Sequence, residues 1–192
     1  MKKHLVLALA ALALVACGGN TPTTTPAAST TTTPTTNQPT STPTTEAPKN
    51  WTLATELKNG DDVLIAAPAY KKLLSVEKVA TYYNKGVDYT DTDFSNVTDK
   101  ETFDVTVNAD GSYTFTSLSG VSIALADDYS SLNDTGANKS WTLEAKEGSA
   151  GIFYVKNTVR GNYLEWYASK DNWSTYSTSS LSDLFEISFF VK

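Results

Sequence analysis

Asn162-Tyr-Leu164-Glu-Trp166, preceded by Gly151-Ile-Phe-Tyr-Val155 and followed by Asp183-Leu-Phe185-Glu-Ile187, is the stretch whose reading decides the fold. The pieces alternate polar with apolar side chains or run apolar at strand length, the patterns of half-buried and buried strands. Turn signals such as Glu147-Gly148 and Arg160-Gly161-Asn162 bound the pieces. Working outward, the same sequence of three pieces recurs twice upstream. One pass is Ser112-Tyr-Thr-Phe-Thr116, Val121-Ser-Ile123-Ala-Leu125 and Lys139-Ser-Trp141-Thr-Leu143. The other is Asp62-Val-Leu-Ile-Ala66, Lys72-Leu-Leu74-Ser-Val76 and Glu101-Thr-Phe103-Asp-Val105-Thr-Val107. The closing aromatics Phe103, Trp141 and Phe185 fall 38 and 44 residues apart.

Three passes of about 40 residues predict pseudo-threefold symmetry. The order within a pass resembles that of a β-trefoil, which implies a six-stranded barrel capped by three hairpins. The expected class is therefore all-β, a trefoil-like closed barrel with three internal repeats; another β-barrel or a β-sandwich is the alternative. Alternation sends Leu74, Val76, Phe103, Val105, Ile123, Leu125, Trp141, Leu143, Leu164, Trp166, Phe185 and Ile187 inward. Two features stand outside the threefold pattern. Lys49-Asn-Trp51-Thr-Leu53 is nearly a fourth copy of Lys139-Ser-Trp141-Thr-Leu143, and the first pass holds an insertion, Val79 to Lys100, whose polar, turn-rich part from Tyr82 onward reads as a loop.

The N-terminus is another kind of polymer. Lys2 and Lys3 precede an apolar run from Leu5 to Ala16, too short to span a bilayer as a helix. Leu14-Val15-Ala16-Cys17 resembles the lipobox of bacterial lipoproteins. That resemblance implies a signal peptide over 1–16, cleavage before Cys17 and lipidation of its thiol, hence a membrane partner through the lipid and an extracytoplasmic location at the cell membrane or outer surface. Residues 17–49 read as a disordered stalk: 14 of the 30 residues from Thr21 to Asn50 are Thr, and six of the chain's seven Pro lie there. Fully extended, it reaches roughly 90 Å. The remaining 50–192 form the all-β domain.

Several kinds of chemistry lack their residues. The only histidine is His4 and the only cysteine Cys17, so the mature domain has neither Ser-His-Asp nor Cys-His catalysis nor a His/Cys zinc site. No phosphate-binding glycine loop is present. The formal charge of −6 becomes −8 without Lys2 and Lys3. A net acidic domain with no basic cluster is a poor nucleic-acid binder. Carboxylates remain, but no pair is singled out, so the expectation is a protein that is not an enzyme and needs no cofactor. Asp91, Asp93 and Ser95 mimic the 1-3-5 spacing of a calcium loop, but Asn96 and Thr102 occupy the positions that need Gly and Glu, and a solvated loop with no metal is expected.

The aromatic cluster is the candidate binding site. With Leu164 and Trp166 turned inward, Tyr163, Glu165 and Tyr167 face out, and Asn172, Trp173 and Tyr176 follow near the next turn. Exposed rings beside carboxylate and amide groups suit a saccharide: the rings stack on the C–H face of a pyranose while the polar groups hydrogen-bond its hydroxyls. The expected partner is an extracellular glycan, or alternatively a surface protein anchored on the same rings. The segment from Asn162 to Val191, together with the Trp51-Thr-Leu and Gly60-Asp-Asp-Val-Leu-Ile-Ala opening, resembles a module of bacterial surface and secreted proteins that in some cases follows extracellular hydrolases, which implies an accessory rather than a catalytic domain. Ricin-type lectins carry Gln-x-Trp in each repeat; this domain has no Gln, so no galactose site of that type can be assigned.

Overall fold

The computed structural model describes residues 50–91, 93–128 and 131–192. The segments read as signal peptide and stalk, with Cys17, lie outside the described residues. Eleven strands follow in chain order: β1 (Thr52–Leu53), β2 (Asp62–Ala67), β3 (Lys72–Ala80), β4 (Tyr83–Asp88), β5 (Thr102–Val107), β6 (Tyr113–Ser117), β7 (Trp141–Ala145), β8 (Phe153–Asn157), β9 (Tyr163–Tyr167), β10 (Asn172–Tyr176) and β11 (Ser188–Val191). Among the described residues the only helices are two short 3₁₀ turns, Ala168–Lys170 and Asp183–Phe185.

The pairings close a barrel of six strands. β2 pairs with β5, β5 with β6, β6 with β7 and β7 with β8, all antiparallel. A bridge from Phe153 to Ile187 leads from β8 to the residue before β11, and β11 returns to β2. Closure leaves no free edge on the barrel, which an aromatic-rich β chain requires to avoid edge-to-edge association. The hairpins β3–β4 and β9–β10 sit over one end and join each other through Trp173 opposite Asn84. This is the β-trefoil arrangement that the three passes predict.

The threefold register is visible in one pairing per repeat. Val63 faces Phe103, Tyr113 faces Trp141 and Phe153 faces Ile187. The third closing residue is therefore Ile187, and the sequence alignment that placed Phe185 there is off by two residues. A slip of two preserves which face a side chain occupies, so alternation could not detect it. Phe185 ends a 3₁₀ turn instead and packs edge-on against Tyr163, ring centres 6.4 Å apart. Of the twelve residues expected inside, ten are buried, and Val76 and Leu143 are partly buried against the core. Leu74, Ile123 and Leu164 meet in that one core cluster.

Three local expectations change. The polar stretch after Ala80 contains β4, whose sequence Tyr-Asn-Lys-Gly-Val-Asp shows no apolar alternation. It is held by other means: the buried Asn84 donates its amide to the Ser75 carbonyl at 2.8 Å, and Gly86 lies flat against the Trp166 ring. Asn172–Tyr176 is likewise a strand rather than a turn region. Conversely, among the described residues the middle repeat shows no regular hairpin: Ile123, Ala124 and Leu125 are buried, but their described neighbours make isolated bridges, such as Leu125 to Leu132 and to Asn138.

The two features outside the threefold pattern prove to be one. β1 pairs with the end of β11. Tyr89, Phe94 and Val97, from the extra segment after β4, cover the outer face of β2 and β11 together with Trp51 and Phe190, making a second cluster around Leu64, Ala66 and Leu73. Phe94 sits 6.4 Å from Trp51, 5.6 Å from Tyr89 and 5.1 Å from Phe190. β2 is thus buried on both faces, which explains its unbroken Val-Leu-Ile-Ala-Ala run.

Candidate functional site

Register fixes the hairpin β9–β10. Tyr176 lies opposite Tyr163, Ser174 opposite Glu165, and Asn172 opposite Tyr167. These six share one face, because side chains alternate across a strand. Leu164, Trp166 and Trp173 take the other face and enter the barrel core. Alternation therefore sorted β9 correctly. What it missed is that the presumed outer face is roofed by distant segments. Tyr83 from β4, Ser131, and Leu184 and Phe185 from the second 3₁₀ turn enclose with it a cleft of about 450 Å³, also lined by Glu165, Tyr167, Ser174, Thr175, Tyr176 and Thr178. That volume suits a small ligand or a few saccharide rings.

The six expected site residues divide. Glu165, Tyr167 and Tyr176 line the cleft. Tyr176 is 58% exposed and Tyr167 36%, so both rings are available to a ligand. Tyr163 is buried rather than outward: it donates its hydroxyl to Glu144 Oε2 at 3.1 Å, with Lys156 Nζ 5.1 Å above its ring. Asn172 is also buried; its amide donates to the Lys170 carbonyl, while its Oδ1 finds no donor among the described residues. Trp173 does not present a ring to solvent at all. It is fully buried, packs edge-on at 5.7 Å against Trp166, and donates Nε1–H to the Leu73 carbonyl at 3.0 Å, tying the two cap hairpins together. The mistaken expectation came from treating β10 as a turn, which frees its residues from strand parity.

Glu165 is the electrostatic centre of the cleft. It is 7% exposed, and no hydrogen bond or ion pair reaches its carboxylate among the described residues. Burial alone pushes its carboxyl up from 4.5 to about 7, since the charged form loses water and gains no counter-charge. No Lys, Arg or second carboxylate stands among the described lining residues, so the two-carboxylate chemistry of glycoside cleavage lacks one of its members there. Ser174 follows from the register with Glu165 and was within reach of the sequence. Tyr83, Leu184 and Phe185 carried no signal, because tertiary folding alone brings them over β9.

The calcium-like spacing serves other contacts. Asp91 Oδ1 accepts from Lys71 Nζ at 2.6 Å. The Ser95 hydroxyl first, and then the Ser95 backbone N–H donating to Asp93 Oδ1 at 2.8 Å, hold the Asp93 carboxyl below its usual value. No group of three potential metal-binding side chains converges among the described residues.

No protein-family model matches the chain, and no curated protein matches it. Solved structures share its fold. A designed three-fold symmetric protein, ThreeFoil, superposes with a TM-score of 0.52 at 19% identity, covering 68% of this chain and 98% of that one. A Macrolepiota procera ricin B-like lectin, solved in complex with lactose, gives 0.55 at 10% identity, covering 70% and 97%. A GlcNAcα1-4Gal-releasing endo-β-galactosidase from Clostridium perfringens gives 0.55 at 10% identity, covering 69% of this chain and 32% of that one. The chain is a β-trefoil protein by fold. At these identities the likeness extends no further.

Proposed function

We propose that the protein is a lipid-anchored, extracytoplasmic binding module whose cleft on the β9–β10 hairpin takes extracellular carbohydrate without turning it over. The observation that supports this reading is the cleft itself: two exposed tyrosine rings, Tyr167 and Tyr176, flank a recessed carboxyl with the Ser174 and Thr178 side chains nearby. Rings supply the stacking surface and the carboxyl and hydroxyls the hydrogen bonds. A concave, partly polar cleft of this size fits a sugar better than a flat apolar patch would. Lectins with the same fold, among them one seen with lactose, are consistent with it. The lipobox-like Cys17 and the Thr/Pro-rich segment after it support a tethered position in front of the membrane.

The test is a glycan array probed with the full chain and with Tyr167→Ala/Tyr176→Ala. Both rings are at the cleft mouth, so their removal leaves the fold intact. Binding to at least one glycan class should fall about tenfold or more in the double variant, since each stacked ring is worth about 0.5–1.5 kcal/mol. Unchanged binding would remove these residues as the site; reducing-end release from a bound glycan would show that the module is an enzyme.

A further inference from the structure

The cleft contains a carboxyl with no counter-charge among the described residues. Glu165 is more than nine-tenths buried, it lines the cleft, and neither a hydrogen bond nor an ion pair reaches it from the described residues. The described residues that line the cleft with it are Tyr83 from β4, Ser131, Tyr167 from its own strand, Ser174, Thr175 and Tyr176 from β10, Thr178, and the apolar Leu184 and Phe185 from the 3₁₀ turn. None is cationic. Aromatic ring faces carry partial negative charge, so they repel a carboxylate and attract a cation. A neutral hydroxyl can donate a hydrogen bond to Glu165 but cannot neutralise it, whereas an ammonium group does both.

From this arrangement we infer that the saccharide recognised by the cleft carries a free, protonated amine, as in a de-N-acetylated hexosamine unit, with the ammonium seated against Glu165 and flanked by Tyr167 and Tyr176. The inference rests on the carbohydrate reading of the same cleft and narrows it to amino sugars. Acetylation removes the charge and adds bulk where the ammonium would sit, so the N-acetylated form of the same sugar is the rejected one. The buried carboxyl is half-protonated near neutrality, and a bound ammonium draws it back to the charged form, releasing a proton.

The experiment is calorimetric titration of the full chain at about pH 6 with β1,4-linked glucosamine oligomers and with their fully N-acetylated counterparts. The glucosamine oligomer should bind about tenfold tighter or more. Glu165→Gln should reduce that preference to about twofold, and Tyr167→Ala/Tyr176→Ala, which leaves the net charge unchanged, should weaken glucosamine binding about tenfold. General attraction of a polycation to an acidic surface predicts that the double tyrosine variant binds as well as the parent, and that result overturns the inference. Equal or tighter binding of the acetylated oligomer also overturns it while leaving the carbohydrate reading in place. If neither oligomer binds but a neutral glycan does, and through the tyrosines, the amine is wrong and the sugar right; if no glycan binds at all, both fall.

Discussion

Replacing Glu165 by Gln should stabilise the fold at alkaline pH and leave it almost unchanged in acid. The carboxyl titrates near 4.5 in an unfolded chain and at about 7 in the native cleft. Between those values the native state holds a proton that the unfolded chain has released, so stability falls as pH rises through that window. Above it the full gap applies, about 3 kcal/mol at about 1.4 kcal/mol per pH unit. Water at the cleft mouth screens part of this, which brings the expected gain for Glu165→Gln to about 2 kcal/mol at pH near 8.5. Below pH about 4.5 both side chains are neutral and of similar shape, and the difference should vanish. Urea denaturation at the two pH values, read by tryptophan fluorescence, measures it directly because Trp166 and Trp173 are both in the core. A stability difference that is the same at both pH values, or a variant that is less stable in alkali, would refute the picture of an uncompensated buried carboxyl.

Two further outcomes follow from the packing. Gly86→Ala should cost about 1–3 kcal/mol, because the new Cβ would meet the Trp166 ring at 2.5 Å and that ring is wedged against Trp173; denaturation equal to the parent would mean that the cap hairpins are looser than described. In a double-mutant cycle, Trp51→Ala and Phe94→Ala should show a coupling of about 0.5–1.5 kcal/mol, since both rings belong to the one outer cluster over β2; strict additivity would mean that the N-terminal strand and the segment after β4 do not support each other.

The barrel was legible because its strands alternate or run apolar at strand length and recur. Leu74, Ile123 and Leu164 announce equivalent positions by sequence alone, and all three are core. The cap was harder to see. β4 holds its place through Asn84 and Gly86, a hydrogen bond and a missing side chain, and neither registers as hydrophobic alternation. The third closing position was assigned to Phe185 instead of Ile187 because an aromatic residue drew the alignment two places along the chain, a shift that parity cannot detect. The site was half legible for a related reason. Parity separated Glu165 and Tyr167 from Leu164 and Trp166, but exposure depends on what covers a face. The residues that cover this one, Tyr83 and the Asp183–Phe185 turn, lie far away in sequence. Trp173 shows the reverse error: a tryptophan among Asp, Asn and Ser looks like a surface ring until strand pairing turns it inward onto the Leu73 carbonyl.

Amide and side-chain NMR shifts, followed while a bound oligosaccharide is titrated into the labelled chain, would locate the ligand without reliance on any variant. The account predicts that the perturbed residues cluster on Tyr83, Glu165, Tyr167, Ser174, Tyr176 and the Asp183–Phe185 turn. Shifts centred instead on the open groove beside Glu77, Lys85 and Lys100, further along β4, would contradict it.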